Sequence, residues 1–267
     1  MNVLASLARF LFIALWCTTV AAQQTEPPTG SRTKVSGSMQ LGHVAFALPP
    51  GEWQVVPLEE LAVLKTDYSC RCEQTWAGIH RWPVQQAFAI QLDPVKNQLK
   101  SAIYFRASQA TVPMVKVWFT NACDARGVVL HRDSIDGSFN YPACLTVEAL
   151  ESPSTGHQAE LEARLWDWMK ANGVEVPHVL LAVKYLKYAT GDHVWALHYV
   201  NPDQHGIKPA AQRSPGEWAP DVVKADPQKS EYLARLRSWS FKMADESRSS
   251  LRAGKPSATN LPAIPSM

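Results

Sequence analysis

Beyond its first residues the chain has no apolar run near the roughly 20 residues that a membrane-spanning helix needs, so no transmembrane span is expected in the mature protein. Basic runs longer than a few residues are also missing, and 26 basic side chains stand against 24 acidic ones. Composition therefore offers no nucleic-acid or anionic-membrane surface. There is no H-E-x-x-H, no glycine-rich phosphate loop and no G-x-S-x-G elbow, which removes the common signatures of zinc proteases, nucleotide binders and serine hydrolases. Serine, histidine and acidic residues occur as in any chain of this size, and their presence alone supports no triad. Nothing in the sequence implies a cofactor or a metal.

What is present begins with the N-terminus. Residues 1–22 place Arg9 before the apolar run FLFIALW and end on Val20, Ala21 and Ala22, the three-part layout of a secretory signal peptide cleaved after Ala22. A lipid anchor at Cys17 is disfavoured because bulky Trp16 precedes it. The mature chain is thus expected in the periplasm or outside the cell. Residues 23–38 and 247–267 are rich in Pro, Ser, Thr and Gly, so they read as a flexible leader and a disordered tail. Between them, residues 39–246 are long enough for one domain with a substantial core. Removing Arg9 leaves 25 basic against 24 acidic groups, a net charge of +1, and nine of the ten tryptophans follow Trp16.

The stretch FALPPGEWQVV (46–56) reads as a strand, a Pro-Pro-Gly turn and a second extended piece. QQAFAIQLD (85–93), LKSAIYFRA (99–107) and MVKVWFT (114–120) alternate apolar and polar positions, which predicts an antiparallel meander. A hairpin turning at SIDG (134–137) and another at TGDH (190–193) follow. A helix is predicted at 157–171, capped by Ser154 or Thr155 and burying Leu161, Leu165, Trp168 and Met169. Trp166 and Trp168 stand two apart there, so only one of them is expected to face the core squarely. The last helix has Asp226 as cap, Pro227 in its first turn, and Tyr232, Leu236, Trp239 and Met243 along one side. Glu231 and Arg235 add an exposed ion pair four residues apart. The sum predicts an α+β fold, an antiparallel β-sheet covered by two or more amphipathic helices.

FALPPGEWQVV and the closing YLARLRSW resemble the two ends of the MOG1/PsbP-like α/β/α superfamily, which includes many exported bacterial proteins. The resemblance implies an α/β/α sandwich-like fold and an accessory, non-catalytic role. It carries over no site residues, and the cysteine-bearing middle departs from it.

Three groups of residues could carry chemistry. The mature chain retains four of its five cysteines, Cys70, Cys72, Cys123 and Cys144, and an even number in an exported protein points to disulfides. Residues two apart on a strand are roughly 6.6 Å apart, near the limit for a disulfide. A Cys70–Cys72 bond is therefore the least favoured of the three pairings, and one geometry runs two staples from the C-x-C to Cys123 and Cys144. The alternative is a soft-metal C-x-C site, whose nearest imidazole, His80, is eight residues from Cys72. The second group is GDHVWALHYVNPDQHG (191–206). His193 and His198 are five apart and should face opposite sides of a strand, whereas His198, Asp203 and His205 can gather where the chain turns at Asn201-Pro202. The bland alternative is a partly buried histidine followed by a polar turn. The third is WAGIHRW (76–82), where Trp76 and Trp82 offer rigid contact area and Arg81 a carboxylate partner, unless the two rings only cover the core.

Two functions remain open on these grounds. One is a disulfide-stapled envelope protein that binds a partner or envelope component without turning it over. The other is a secreted hydrolase whose site assembles only in three dimensions.

Overall fold

The structure is a computed structural model that describes residues 33–58, 84–109, 123–125, 127–136, 143–151, 160–189, 191–209, 216–253 and 261–267. In chain order its elements are β1 Lys34–Val35, β2 Ser38–Leu41, β3 Val44–Ala47, β4 Trp53–Val56, β5 Val84–Asp93, β6 Gln98–Ser108, β7 Val128–Asp136 and β8 Ala143–Glu151. Then come α1 Glu160–Ala171, β9 Val179–Ala189, β10 Asp192–Val200, a 3-10 turn at Pro202–His205, α2 Pro220–Ala225 and α3 Pro227–Ala253. Eight strands form one sheet in the order β1-β4-β5-β6-β10-β9-β8-β7, and β2 and β3 form a separate hairpin. Every neighbouring pair is antiparallel. The α+β class and the β5–β6 and β9–β10 hairpins are as the alternation predicts.

Both faces of the large sheet carry a core, which explains why its central strands are apolar almost throughout. On β10 the residues Val194, Ala196 and Val200 share one cluster with Tyr232, Leu236, Trp239 and Met243 of α3 and with Val44 and Phe46 of β3. Leu197 and Tyr199, on the other face, pack with Leu165, Trp166, Trp168 and Met169 of α1. Side chains on a strand alternate between faces, so one run of β10 serves both clusters. Trp166 and Trp168 are both buried, contrary to the expectation that only one would be. The apolar surface of α1 is wider than its stripe of threes and fours, because an indole on the flank of a helix is long enough to lie back against the sheet.

The ends of the domain also differ from expectation. Asp226 caps α3 as predicted, its Oδ1 accepting from the amides of Gln228 at 2.9 Å and Lys229 at 3.2 Å, and Arg235 pairs with Glu231 at 2.5 Å. The helix then runs on to Ala253, past the expected boundary at 246. Leu251, Leu261 and Ile264 are buried in the α3-side core. The tail 247–267 is therefore structured over 247–253 and 261–267, because isolated apolar residues among its prolines and serines find a place beside α3. At the other end, Lys34 and Val35 pair with Gln54 and Trp53, so the last part of the expected leader belongs to the sheet. The 128–151 hairpin forms, but β7 continues through the expected turn to Asp136 with shifts of register after Val129 and Ser134. The strand at 114–120 and the caps Ser154 and Thr155 lie outside the described residues.

Cys123 and Cys144 are bonded to each other, with Cα atoms 5.9 Å apart and a sequence separation of 21. This overturns the two-staple arrangement, since neither cysteine is left for the C-x-C. Cys70 and Cys72 lie outside the described residues. Closing a loop of this length stabilises by about 3 kcal/mol. Replacing Cys123 and Cys144 together by alanine is expected to lower the thermal midpoint by about 10 °C, a shift that differential scanning calorimetry reads directly. A midpoint within about 2 °C of the parent would show that the bond adds nothing to a fold already held by packing.

Candidate functional site

Three chain reversals converge at one end of the sheet. After β10 the chain turns because Pro202 fixes its own φ and because the Asn201 side chain accepts from the Asp203 amide at 3.1 Å. Asn201 also donates through Nδ2 to Leu99 O at 2.8 Å, tying the turn to β6. Gly206, with φ 89°, closes the turn in the left-handed region that costs glycine nothing. Between β5 and β6, Asp93 Oδ1 accepts from the amides of Val95 at 2.8 Å and Lys96 at 3.0 Å. Those amides hold its carboxyl below the ordinary value of 3.8. Asn97 then reaches the loop after α1, donating to Gly173 O at 2.8 Å and accepting from the Glu175 amide at 3.1 Å.

The result is a groove of about 200 Å³ lined by Lys96, Gln98, Glu175, Pro177, Asn201, Asp203, Gln204 and Pro209. Its side chains are organised: Gln204 donates to Gln98, and Gln98 donates to Glu175. An amide pair that is already hydrogen-bonded presents a fixed pattern of donors and acceptors. With one lysine against two carboxylates, the lining favours a neutral hydroxyl-bearing or amine-bearing ligand over an anion.

The structure separates the three residues expected to gather at this turn. Asp203 lines the groove. His205, on the same 3-10 turn, points inward, where its Nε2 lies 3.3 Å from Ser101 Oγ. Burial and then Lys100 push its pKa down to about 4, against the opposing pull of the Pro265 and Lys100 carbonyls. His198 is fully buried and contributes to neither group. Its ring meets Phe105 and Trp239 edge-on at 5.6 and 5.1 Å, neither nitrogen has a hydrogen-bond partner among the described residues, and burial lowers its pKa to about 3. His193 faces the opposite side, as the strand period requires, with Nδ1 2.9 Å from Ser108 Oγ. Burial, with a smaller push from Arg106, takes its pKa to about 3. Among the described residues no group of three or more His, Cys, Asp or Glu is placed to hold a metal ion. Trp76, Arg81 and Trp82 lie outside the described residues.

A further titratable pair stands at the other end of β10. His43 Nε2 is 2.5 Å from Asp192 Oδ2, and Asp192 Oδ1 accepts from the His193 amide at 2.8 Å. Close by, Ser108 is fully buried and hydrogen-bonds His193, whereas the imidazole on Asp192 belongs to His43. A serine, a histidine and an aspartate thus occur together without the order a triad needs.

Sequence reasoning named the turn at Asn201-Pro202 but missed Lys96, Gln98, Glu175 and Gln204 as its companions, and missed His43. The Pro94-to-Gln98 link was legible as a turn, and its proximity to residue 201 follows from β6 pairing with β10, which no local pattern announces. No protein-family model, curated protein or solved structure matches the chain.

Proposed function

We propose that the chain is an exported envelope protein, a binding or accessory module that holds an envelope component in the groove at Asn201–Asp203. The observation that carries this reading is the groove itself: three separate reversals place two carboxylates, an ammonium and bonded amides around one concavity. Export rests on the signal-like residues 1–22, accessory character and the α/β/α sandwich-like layering on the resemblance to the MOG1/PsbP-like superfamily. No described helix is long and apolar enough to cross a membrane. The Trp76, Arg81 and Trp82 surface is a second contact in the same proposal.

Retention of purified protein on cell-wall fragments and envelope extracts tests it. Losing a desolvated polar anchor typically costs about 2 kcal/mol, so the Asp203→Asn, Glu175→Gln double variant is expected to bind about 30-fold more weakly. Retention equal to that of the parent removes the groove from the function. The hydrolase reading is favoured by one feature, the carboxylate that orients the half-exposed imidazole of His43, an arrangement that prepares a general base. Turnover of an extract component that His43→Gln abolishes and the groove variant leaves intact would establish that reading instead.

A further inference from the structure

The 3-10 turn has two sides. Asn201, Asp203 and Gln204 line the groove, while the other side is held by residues 261–267. The Met267 amide donates to His205 O at 2.9 Å. The carbonyl of Pro265 faces the His205 ring. Arg235 of α3 donates to Ser266 O at 3.0 Å, and Trp239 Nε1 to Pro262 O at 2.9 Å. Leu261 and Ile264, three residues apart, are buried beside them.

These contacts have the form of peptide recognition rather than of a regular element packed on a core. Two apolar anchors join the α3-side core, and side-chain donors from α3 take one carbonyl between them, that of Pro262, and one beyond them, that of Ser266. The turn needs such support. Its own backbone bonds run from Gln204 N–H to Asn201 O and Ile207 N–H to Pro202 O, both 3.1 Å, and from Gly206 N–H to Pro202 O, beside the Asn201 side-chain cap. Short 3-10 segments are held by poorly aligned hydrogen bonds. His205 O at its end finds its donor in Met267. The fit is close as well: a Cβ added to Gly206 would come within 3.2 Å of Met267 O.

We infer that the cleft between α3 and the 3-10 turn is a peptide-accepting site whose resident ligand is the chain's own segment 261–267, and that its occupancy sets the shape of the polar groove. The second clause rests on the groove being the binding site; the first does not. Attachment to the same chain gives the segment an effective concentration near millimolar, so even a weak site is filled. The separated heptapeptide LPAIPSM therefore needs to be supplied at millimolar concentration to replace it.

Hydrogen exchange on the protein truncated after residue 260 tests the inference without any groove ligand. The amides of Gln204 and Ile207 are expected to exchange at least tenfold faster, those of β9 and β10 to keep their rates, and the acetylated heptapeptide at a few millimolar to restore protection. Unchanged exchange at Gln204 and Ile207, or no restoration by the peptide, overturns the peptide-accepting site. If truncation unfolds the chain, the Arg235→Ala, Trp239→Phe variant, which keeps both anchors and removes two donors, is expected to accelerate the same two amides, and equal rates overturn the inference. Retention on envelope extracts is then compared between the protein with and without residues 261–267. Retention unaffected by truncation, where the groove variant abolishes it, refutes the coupling alone. Retention unaffected by the groove variant refutes the groove and leaves the peptide site standing on its exchange data.

Discussion

Acidification from pH 7 to pH 4.5 is expected to remove most of the folding stability, and His198→Leu to restore a definable part of it. His198 and His193 have pKa values of about 3 in the folded chain and His205 about 4, whereas an unfolded histidine titrates near 6.5. Each folded value is depressed, so below about pH 6.5 the unfolded chain binds more protons than the folded one. Stability is then fully present above pH 6.5 and falls as the pH drops toward 3 to 4. At pH 5 the loss is roughly 2 kcal/mol per histidine, from about 1.5 pH intervals at 1.36 kcal/mol each. Three such groups approach the whole stability of a typical domain, about 5–15 kcal/mol. Asp93 is held below 3.8 and adds its share beneath this window.

His198 provides the cleanest test because its surroundings are aromatic and its ring nitrogens have no described partner to orphan. Leucine at this site is of comparable volume and is expected to stay within about 1.5 kcal/mol of the parent at neutral pH. Between pH 7 and pH 5 the variant should lose about 2 kcal/mol less than the parent, read from urea midpoints across the range. Parallel pH profiles for the two proteins would show that His198 is not among the groups responsible.

A larger loss from one substitution is expected at Lys184. Its Nζ lies 3.5 Å from Glu148 Oε1, and the two side chains are only 3% and 2% exposed. Lys184 also donates to Asp124 O, while Glu148 accepts from Thr146 Oγ1 at 2.7 Å and from the Gly127 amide at 3.3 Å. β8 and β9 present these residues in register, Thr146 opposite Lys184 and Glu148 opposite Ala182. The segment carrying Asp124 and Gly127 starts at the Cys123–Cys144 bond, so the staple keeps two of the pair's partners close by.

Removing one member of a buried ion pair leaves the other desolvated and uncompensated, at a cost of about 3–5 kcal/mol. Lys184→Met should therefore rank among the most damaging single changes in the chain. The Lys184→Met, Glu148→Leu double variant should recover most of the loss, because well-packed apolar replacements for a buried pair are often neutral or better. Denaturant midpoints of the two single variants and the double variant form a thermodynamic cycle. A double variant no more stable than Lys184→Met would mean that the strands need Glu148 for its bonds to Thr146 and Gly127 and not as a counter-charge.

The contrast between β10 and the chain's last residues shows what local pattern conveys. The run from Val179 to Val200 announced its hairpin because its apolar density is high and its turn residues are unambiguous. Asp226 and Pro227 announced the start of α3 for equally local reasons. Residues 261–267 have neither periodicity nor density. Their order comes from Trp239, Arg235 and His205, and two apolar side chains suffice once those donors and acceptors stand ready. The groove follows the same division. Asn201 and Pro202 were legible as a turn, whereas Glu175 and Gln98 meet there only because the loop after α1 and the start of β6 are brought to one end of the sheet. The C-x-C misled for a related reason: strand spacing argues against a bond within Cys70 and Cys72 but cannot say that Cys123 already faces Cys144.

The order of the large sheet also divides the pairing problem in two. β4, β5 and β6 follow one another in both chain and sheet, as do β7, β8, β9 and β10, so nearly all ladders join neighbours in sequence. The seam between β6 and β10 does not, since it sets Ser101 against Val200. Closing that seam encloses about 100 residues, yet loop entropy rises only with the logarithm of length, about 0.6 kcal/mol per doubling. The thermodynamic penalty for joining the halves is thus small. The kinetic one is larger, because contacts of long sequence separation slow the folding search, and it falls on the strand pair whose closure also brings together both core faces and the walls of the groove.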